Sequence, residues 1–141
     1  MKKLISLNKI KKDLGFCSQY WTVLYGSYIT GKFILNRSDI DAAIITQTND
    51  RKVNIEIWRN LLEKSSNNYD LKVFELLPLY LQIEIVQSYM VLFGNPLELS
   101  EYFYHYRKLW KDMEWRIKNN QFQNIQEKID AIERQKDIMK I

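Results

Sequence analysis

Two aspartates, Asp39 and Asp41, lie one residue apart where an apolar stretch with the composition of a buried strand begins, in the sequence SDIDAAII. On a strand, residues i and i+2 point to the same face of the sheet. Two carboxylates held this close repel each other, and each raises the pKa of the other. A divalent cation removes that cost, and carboxylate oxygens are ligands that Mg²⁺ prefers, together with substrate phosphate oxygens. The pair therefore predicts a magnesium site, although the same pattern also occurs as solvated charges at the end of a strand.

Upstream of the aspartates, the chain has the composition of a phosphate-binding loop. Gly26 and Ser27 end an apolar run, and Gly31 follows in the same loop. Glycine lets backbone N–H groups approach a phosphate closely, and a serine hydroxyl adds a donor. The rest of the loop adds two cations and a second hydroxyl, which could equally cap a turn: Lys32, Arg37 and Ser38. One strand end would thus supply phosphate ligands and the next would supply metal ligands, which suits a complex of magnesium with a nucleoside triphosphate.

The elements that must position these residues alternate between helices and strands. Apolar periodicity predicts helices over 4–14, from a cap at Asn49 or Asp50 onward, and from Pro78 onward. Runs of β-branched and aromatic residues predict strands over 20–26, 40–46, 69–76 and 90–94, with a loop over 27–38 that could hold one helical turn. This order predicts an α/β (α+β) fold, in which helices flank a small mixed sheet of about four strands. The stretch 40–46 is apolar on both faces, which is typical of a strand in the middle of a covered sheet.

The C-terminal third is predicted to be helical. Its apolar residues recur at intervals of three and four, with an interruption at Asn119 and Asn120: Leu99, Phe103, Tyr106, Trp110, Met113, Ile117, then Phe122, Ile125, Ile129, Ile132 and Met139. We expect two helices, or one helix with a break. Their apolar stripe would cover the open face of the sheet, or would form a homodimer or partner seam. The chain is thus predicted to be one domain overall, with a core over 1–95 and a C-terminal helical extension over 96–141.

Composition excludes several classes of function. The 141 residues suffice for one domain with a core, and 46% apolar with 27% charged residues is an ordinary globular composition. No apolar run reaches the roughly 18–20 residues of a membrane span, and the basic N-terminus lacks the features of a signal peptide, so a cytoplasmic protein is expected. With one cysteine, Cys17, and one histidine, His105, neither a disulfide nor a zinc cluster is available. The net charge of +4 is too mild to predict nucleic-acid binding by itself.

The stretch GSYITGKFILNRSDID resembles the Gly-Ser…Gly…Ser-Asp-x-Asp signature of the DNA polymerase beta-like nucleotidyltransferase superfamily, and the short length resembles its minimal nucleotidyltransferase branch. The resemblance covers roughly residues 20–95 and matches in spacing and order, with a loop between Ser27 and Asp39 about one residue longer than in commoner members. It implies a third carboxylate on a neighbouring strand that precedes a proline and a helix. In NYDLKVFELLP that position is Asp70, with Glu75 as the second candidate; on one strand the two would point to opposite faces, so only one could serve.

The resemblance implies an enzyme that moves a nucleoside monophosphate, by family habit AMP from ATP, onto an acceptor hydroxyl and releases pyrophosphate. Asp39, Asp41 and Asp70 would be the catalytic carboxylates and would hold two Mg²⁺ ions. The nucleotide would be bound by the remaining residues of the signature loop: Gly26, Ser27, Gly31, Lys32, Arg37 and Ser38.

Minimal nucleotidyltransferases commonly act as antitoxins that add AMP to a tyrosine of a HEPN-type ribonuclease toxin, so the resemblance also implies a protein partner of that type. The HEPN pattern, an arginine followed four to six residues later by a histidine, is absent here: Arg107 comes after His105, so the chain is not expected to be the toxin. Two alternatives stay open: a partner-binding module of the same fold without chemistry, and a nucleotidyltransferase whose acceptor is a small molecule bound by the C-terminal helices.

Overall fold

A four-stranded mixed sheet lies at the centre of the computed structural model, which describes residues 5–32, 39–118 and 129–134. The strands are β1 (Trp21–Tyr25), β2 (Ile40–Ile45), β3 (Tyr69–Val73) and β4 (Met90–Phe93), in the spatial order β3-β2-β1-β4. β1 is antiparallel to both β2 and β4, whereas β2 and β3 are parallel. The predicted mixed sheet of four strands is therefore confirmed.

The helices around the sheet include α1 (Leu7–Asp13), α2 (Ser27–Thr30), α3 (Arg51–Lys64), α4 (Leu79–Gln87) and α5 (Pro96–Lys118), and residues 129–134 are also helical. Their first turns are fixed by local chemistry. The Asp50 carboxylate accepts hydrogen bonds from the backbone N–H groups of Lys52 and Val53 at 3.1 and 3.3 Å, so Asp50 caps α3. The Asn95 side chain caps α5 in the same way. None of the described helices is long and apolar enough to cross a membrane.

Both faces of the sheet are covered by core side chains, as the sequence of β2 predicts. Alternate residues of the strands pack on one face beneath α1 and α3, and the others pack on the second face beneath α4 and α5. Leu99, Phe103 and Tyr106 of α5 are buried on the second face, which confirms that the first part of the apolar stripe covers the sheet. The predicted break at residues 119–120 lies outside the described residues. Farther along the stripe, Ile129 and Ile132 are exposed.

The single cysteine belongs to the first of these two core faces. Cys17 is fully buried there, at the end of a short 3₁₀ turn (Gly15–Cys17). Burial in an apolar environment disfavours the thiolate and raises the pKa of the Cys17 thiol to about 12. This placement makes Cys17 a buried structural thiol.

The prediction of a strand over 69–76 is wrong in its last part. β3 ends at Val73, and a 3₁₀ turn (Phe74–Leu76) follows. This turn directs the Glu75 carboxylate to the end of β2, where it accepts hydrogen bonds from the backbone N–H groups of Thr46 and Gln47 at 3.1 and 2.9 Å. Glu75 thus satisfies backbone donors that the end of the strand leaves unpaired by the sheet.

Candidate active site

Asp41 of β2 and Asp70 of β3 are register partners in the parallel pair. Asp41 is half-buried, and its pKa is raised from 3.8 to about 6, chiefly because burial disfavours the charged form and then because of the negative charges of Asp70 and Asp39. The ammonium of Lys72 acts in the opposite direction and lowers the pKa of Asp41. The structure therefore places the Asp41 carboxyl group in a partly buried position beside two other acidic side chains, which disfavours its charged form.

Asp39 lies immediately before β2 and is exposed. Its charge reaches Asp41, yet among the described residues no three acidic, histidine or cysteine side chains are grouped closely enough to hold a metal ion. Three carboxylates repel one another, and Asp39 is the most exposed member of the predicted set. Its assignment as a metal ligand stays a prediction, as do those of Asp41 and Asp70.

Gly26 allows the end of β1 to lie against the Asp41 side chain. Its backbone has φ 76° and ψ −148°, a conformation that residues with a side chain rarely adopt. A Cβ atom at this position would overlap the Oδ2 atom of Asp41. The glycine of the predicted phosphate loop is thus required for the close approach of two segments of the candidate site.

The loop that follows Gly26 forms the short helix α2, which is the one helical turn that the sequence allowed for. The carbonyl of Gly26 accepts hydrogen bonds from the N–H groups of Ile29 and Thr30, both at 3.1 Å. Gly31 ends the turn in the left-handed conformation, with φ 81°. The hydroxyl of Tyr28 donates a hydrogen bond of 2.7 Å to the carbonyl of Ile5, which ties α2 to the segment before α1. The conformation of Gly31 gives this glycine a role in the turn that is independent of any phosphate.

A pocket of about 330 Å³ opens beside this turn. Four of its lining residues come from the predicted loop and one from the end of β1: Gly26, Ser27, Thr30, Lys32 and Tyr25. Two more, Glu84 and Ser88, come from α4 and the residue after it, and the sequence had not indicated them. Ser88 follows the last turn of α4 in an extended conformation, and no local pattern in the sequence relates either residue to the loop. Arg37 and Ser38 lie outside the described residues.

Two further residues near the carboxyl pair were missed. The Nζ atom of Lys72 lies 3.6 Å from Oδ1 of Asp70 and 5.8 Å from the centre of the Trp58 ring. Trp58 in turn donates a hydrogen bond of 2.7 Å from its indole N–H to the carbonyl of Leu71. The two-residue spacing of Asp70 and Lys72 could have indicated their shared face, whereas the contact with Trp58 depends on how α3 packs on the edge of β3.

Glu75, the second candidate for the third carboxylate, is placed away from the pair. It follows the opposite end of β3 from Asp70, and its carboxylate accepts a hydrogen bond of 2.7 Å from the hydroxyl of Tyr102 in addition to the bonds from Thr46 and Gln47. These contacts give Glu75 a structural role between β2 and α5.

A mixed sheet that carries paired carboxyl groups next to a Gly-Ser turn is the architecture of a nucleotidyltransferase. The model of the family described as polymerase beta, nucleotidyltransferase matches residues 7–98. The chain belongs to this family, and its activity is that of a nucleotidyltransferase.

Known proteins similar to this chain include a Methanocaldococcus jannaschii protein that is provisionally named a protein adenylyltransferase. It is 48% identical over 107 residues, which are 76% of this chain and 82% of the relative. Two crystal structures share the fold with a TM-score of 0.61, each alignment covering 82% of this chain and 94% of the other. One is a toxin–antitoxin complex with AMP-PNP, at 22% identity; the other is an MntA–HpeT toxin–antitoxin variant with two aspartate-to-glutamate changes, at 19% identity.

Proposed function

We propose that this nucleotidyltransferase transfers AMP from ATP to a hydroxyl group of a partner protein, and that it acts as the antitoxin of a HEPN-type toxin. The observation that carries the proposal is the pairing of Asp41 with Asp70 directly beside the Gly26 turn and its pocket. The name of the Methanocaldococcus relative supports adenylyl transfer to a protein. The toxin–antitoxin assemblies that share the fold support the choice of partner.

The chemistry of the carboxyl groups fits Mg²⁺. Burial and the charge of Asp70 raise the pKa of Asp41 to about 6, so a cation bound between the two would offset a repulsion that the chain otherwise carries. Asp41 and Asp70, with Asp39 from the residue before β2, would hold two ions. When bound, the ions would neutralise the triphosphate and lower the pKa of the acceptor hydroxyl.

The other steps, phosphate binding and proton transfer, are assigned to residues of the chain. The backbone at Gly26 and Ser27 would bind the β- and γ-phosphates, with the charge of Lys32 at the same pocket. Gly31, Arg37 and Ser38 belong to the same proposed nucleotide site. The acceptor oxygen attacks the α-phosphorus and forms the new O–P bond, while the bond to the bridging oxygen breaks and pyrophosphate leaves with its electron pair. Asp70, or a water beside it, receives the hydroxyl proton.

The acceptor is proposed to be a protein because the Methanocaldococcus relative, 48% identical to this chain, is named a protein adenylyltransferase. The outer side of α5 carries exposed Leu97, Tyr104 and Trp115, which gives a partner or a second copy of the chain an apolar contact surface. We keep the division into a core over 1–95 and an extension over 96–141 as part of this proposal.

Label transfer tests the proposed function. The protein, Mg²⁺ and ATP labelled at the α-phosphate are mixed with a lysate of the source cells and separated on a denaturing gel. We expect a labelled protein band with the wild type and none with the double variant Asp41→Asn, Asp70→Asn. Glu63→Gln, an exposed carboxylate of α3, is the control that should label normally.

Other outcomes of this experiment separate the alternatives. Label that moves into a small molecule would replace the protein acceptor with a small-molecule one. Absence of any transfer, together with absence of magnesium-dependent ATP binding, would contradict the proposal and favour a partner-binding module.

A further inference from the structure

Lys72 holds a defined position beside the carboxyl pair. It lies on the edge strand β3, two residues after Asp70, and its side chain is 37% exposed. Its ammonium contacts Oδ1 of Asp70 at 3.6 Å and lies 5.8 Å from the ring centre of Trp58. The indole of Trp58 is positioned by its hydrogen bond to the Leu71 carbonyl, so the ring gives the ammonium a second contact at this edge besides Asp70.

The pocket and Lys72 lie on opposite sides of Asp41. The pocket adjoins Gly26 and Ser27, which follow β1, whereas Lys72 belongs to β3. In the order β3-β2-β1-β4, the strand that carries Asp41 separates the two. Neighbouring strands lie about 4.8 Å apart. Across the strands, the pocket at the end of β1, Asp41 on β2 and Lys72 on β3 therefore follow one another in that order.

The geometry of substitution at phosphorus requires the leaving group and the acceptor to lie on opposite sides of the reacting atom, as the pocket and Lys72 lie on opposite sides of Asp41. The attacking and leaving oxygens lie roughly in line on opposite sides of the phosphorus atom. If the leaving pyrophosphate occupies the pocket beside Gly26, the attacking hydroxyl must approach from the side of β3. Among the described residues, the side chains that line this approach next to Asp70 include Lys72 and its support Trp58.

We infer that the acceptor approaches over the edge of β3, and that the Lys72 ammonium, supported by Trp58, contacts the acceptor hydroxyl oxygen and positions it for attack. An ammonium has three donors, so Lys72 can bind Asp70 and the acceptor oxygen together. This arrangement directs the hydroxyl proton toward Asp70 and a lone pair toward the phosphorus. The inference rests on the proposed function, because it requires a transfer reaction with a separate acceptor.

A purely structural role is the simpler explanation for Lys72. Ion pairs that are partly exposed contribute little to stability, so such a role predicts little effect of substitution on the reaction. Lys9 provides the matched case: its Nζ lies 3.4 Å from Oδ2 of Asp13 on α1, and it is exposed. The pair Lys72→Met and Lys9→Met therefore compares the loss of an aspartate-paired lysine at the site with the same loss elsewhere.

The experiment measures the transfer of AMP from ATP labelled at the α-phosphate in two titrations. In the first, ATP is saturating and the source-cell lysate is diluted in steps. In the second, the amount of lysate is fixed and the ATP concentration is varied. For Lys72→Met we expect the lysate needed for half-maximal labelling to rise about 10- to 100-fold, the range for a lost hydrogen bond to a charged group. The ATP needed for half-maximal labelling should not change. Lys72→Arg should recover part of the loss, and Trp58→Phe should give a smaller effect in the same direction.

Two results would overturn the inference while the proposed function stands. In the first, Lys72→Met raises the ATP requirement and leaves the lysate requirement unchanged, which would place Lys72 on the nucleotide side. In the second, Lys72→Met and Lys9→Met give the same labelling curves. A wild type that labels nothing would instead refute the proposed function, and the inference with it. If thermal melting shows that Lys72→Met is unfolded, labelling by Lys72→Arg and Trp58→Phe is measured against lysate and against ATP instead. A raised lysate requirement at an unchanged ATP requirement supports the inference, and wild-type curves for both variants overturn it.

Discussion

Asp41 and Asp70 are paired residue to residue across two parallel strands, so their carboxyl groups share one face of the sheet. The register, and not proximity along the chain, creates this contact, since the two residues are 29 positions apart in the sequence.

Replacing Asp41 with asparagine should abolish transfer and yet stabilise the metal-free protein above pH 6. The pKa of Asp41 is raised from 3.8 to about 6 on folding, so the folded state favours the protonated form. The wild type should therefore lose stability as the pH rises from about 4 to about 6 and lose no more from this group above that. Thermal unfolding between pH 4 and pH 8 in a chelating buffer measures this. A melting difference between variant and wild type that is the same at pH 4 and pH 8 would contradict it.

Magnesium should stabilise the wild type more than a variant that lacks the pair. A ligand that binds only the folded state adds about 2.7 kcal/mol at a hundred times its dissociation constant. We expect the melting temperature of the wild type to rise with Mg²⁺ at pH 8, and that of the Asp41→Asn, Asp70→Asn variant to stay nearly constant. An equal rise in both proteins would show that the ion binds elsewhere.

Replacement by alanine should destabilise the protein to a different extent at each of three glycines, because the backbone conformation and the free space differ among them. Gly15 has open space and no positive φ, Gly31 has open space with φ 81°, and Gly26 has φ 76° together with the Asp41 side chain against it. We expect little effect at Gly15, a loss of about 1 kcal/mol or more at Gly31 from backbone strain, and a larger loss with abolished transfer at Gly26. Chemical denaturation and the labelling assay measure the two quantities. Normal transfer by Gly26→Ala would mean that the close approach to Asp41 is not needed for chemistry.

Asp70→Asn and Glu75→Gln should separate function from stability. Asp70 is partly exposed and paired with Asp41, so we expect the asparagine variant to fold normally and to lose transfer. Glu75 accepts bonds from Thr46, Gln47 and Tyr102, so an amide there should cost about 1–3 kcal/mol while transfer persists in the folded fraction. Loss of transfer by Glu75→Gln at temperatures where it is fully folded would reopen the choice of third carboxylate.

Much of the fold follows from local patterns in the sequence. The cap at Asp50, the apolar run of β2 and the stripe of α5 through Tyr106 each depend on neighbours along the chain, so the elements they predict are found. The end of β3 could not be predicted this way. Its apolar pattern continues past Val73, and the chain turns because Glu75 meets backbone donors that lie 28 and 29 positions away.

The candidate site shows the same division. Period-two spacing relates Asp39 to Asp41, but it gives no information on the strand that will lie beside them, so Asp70 could be selected only through the resemblance to a family. Glu84 and Trp58 were missed because their relation to the site is tertiary: Glu84 lines the pocket from α4, and Trp58 reaches the Lys72 ammonium from α3. Lys72 itself follows from period-two spacing once Asp70 is chosen. Side chains brought in by a packed helix leave no periodic trace in the sequence.

The burial of Cys17 has a practical consequence for studying assembly. Its thiol is inaccessible and its pKa is raised to about 12, so maleimide reagents should not react with the folded wild type near neutral pH. A cysteine introduced at Tyr104, on the exposed side of α5, would then be the single reactive thiol of the chain. One fluorophore attached there would report partner binding in real time, without any need to remove a native residue from the core.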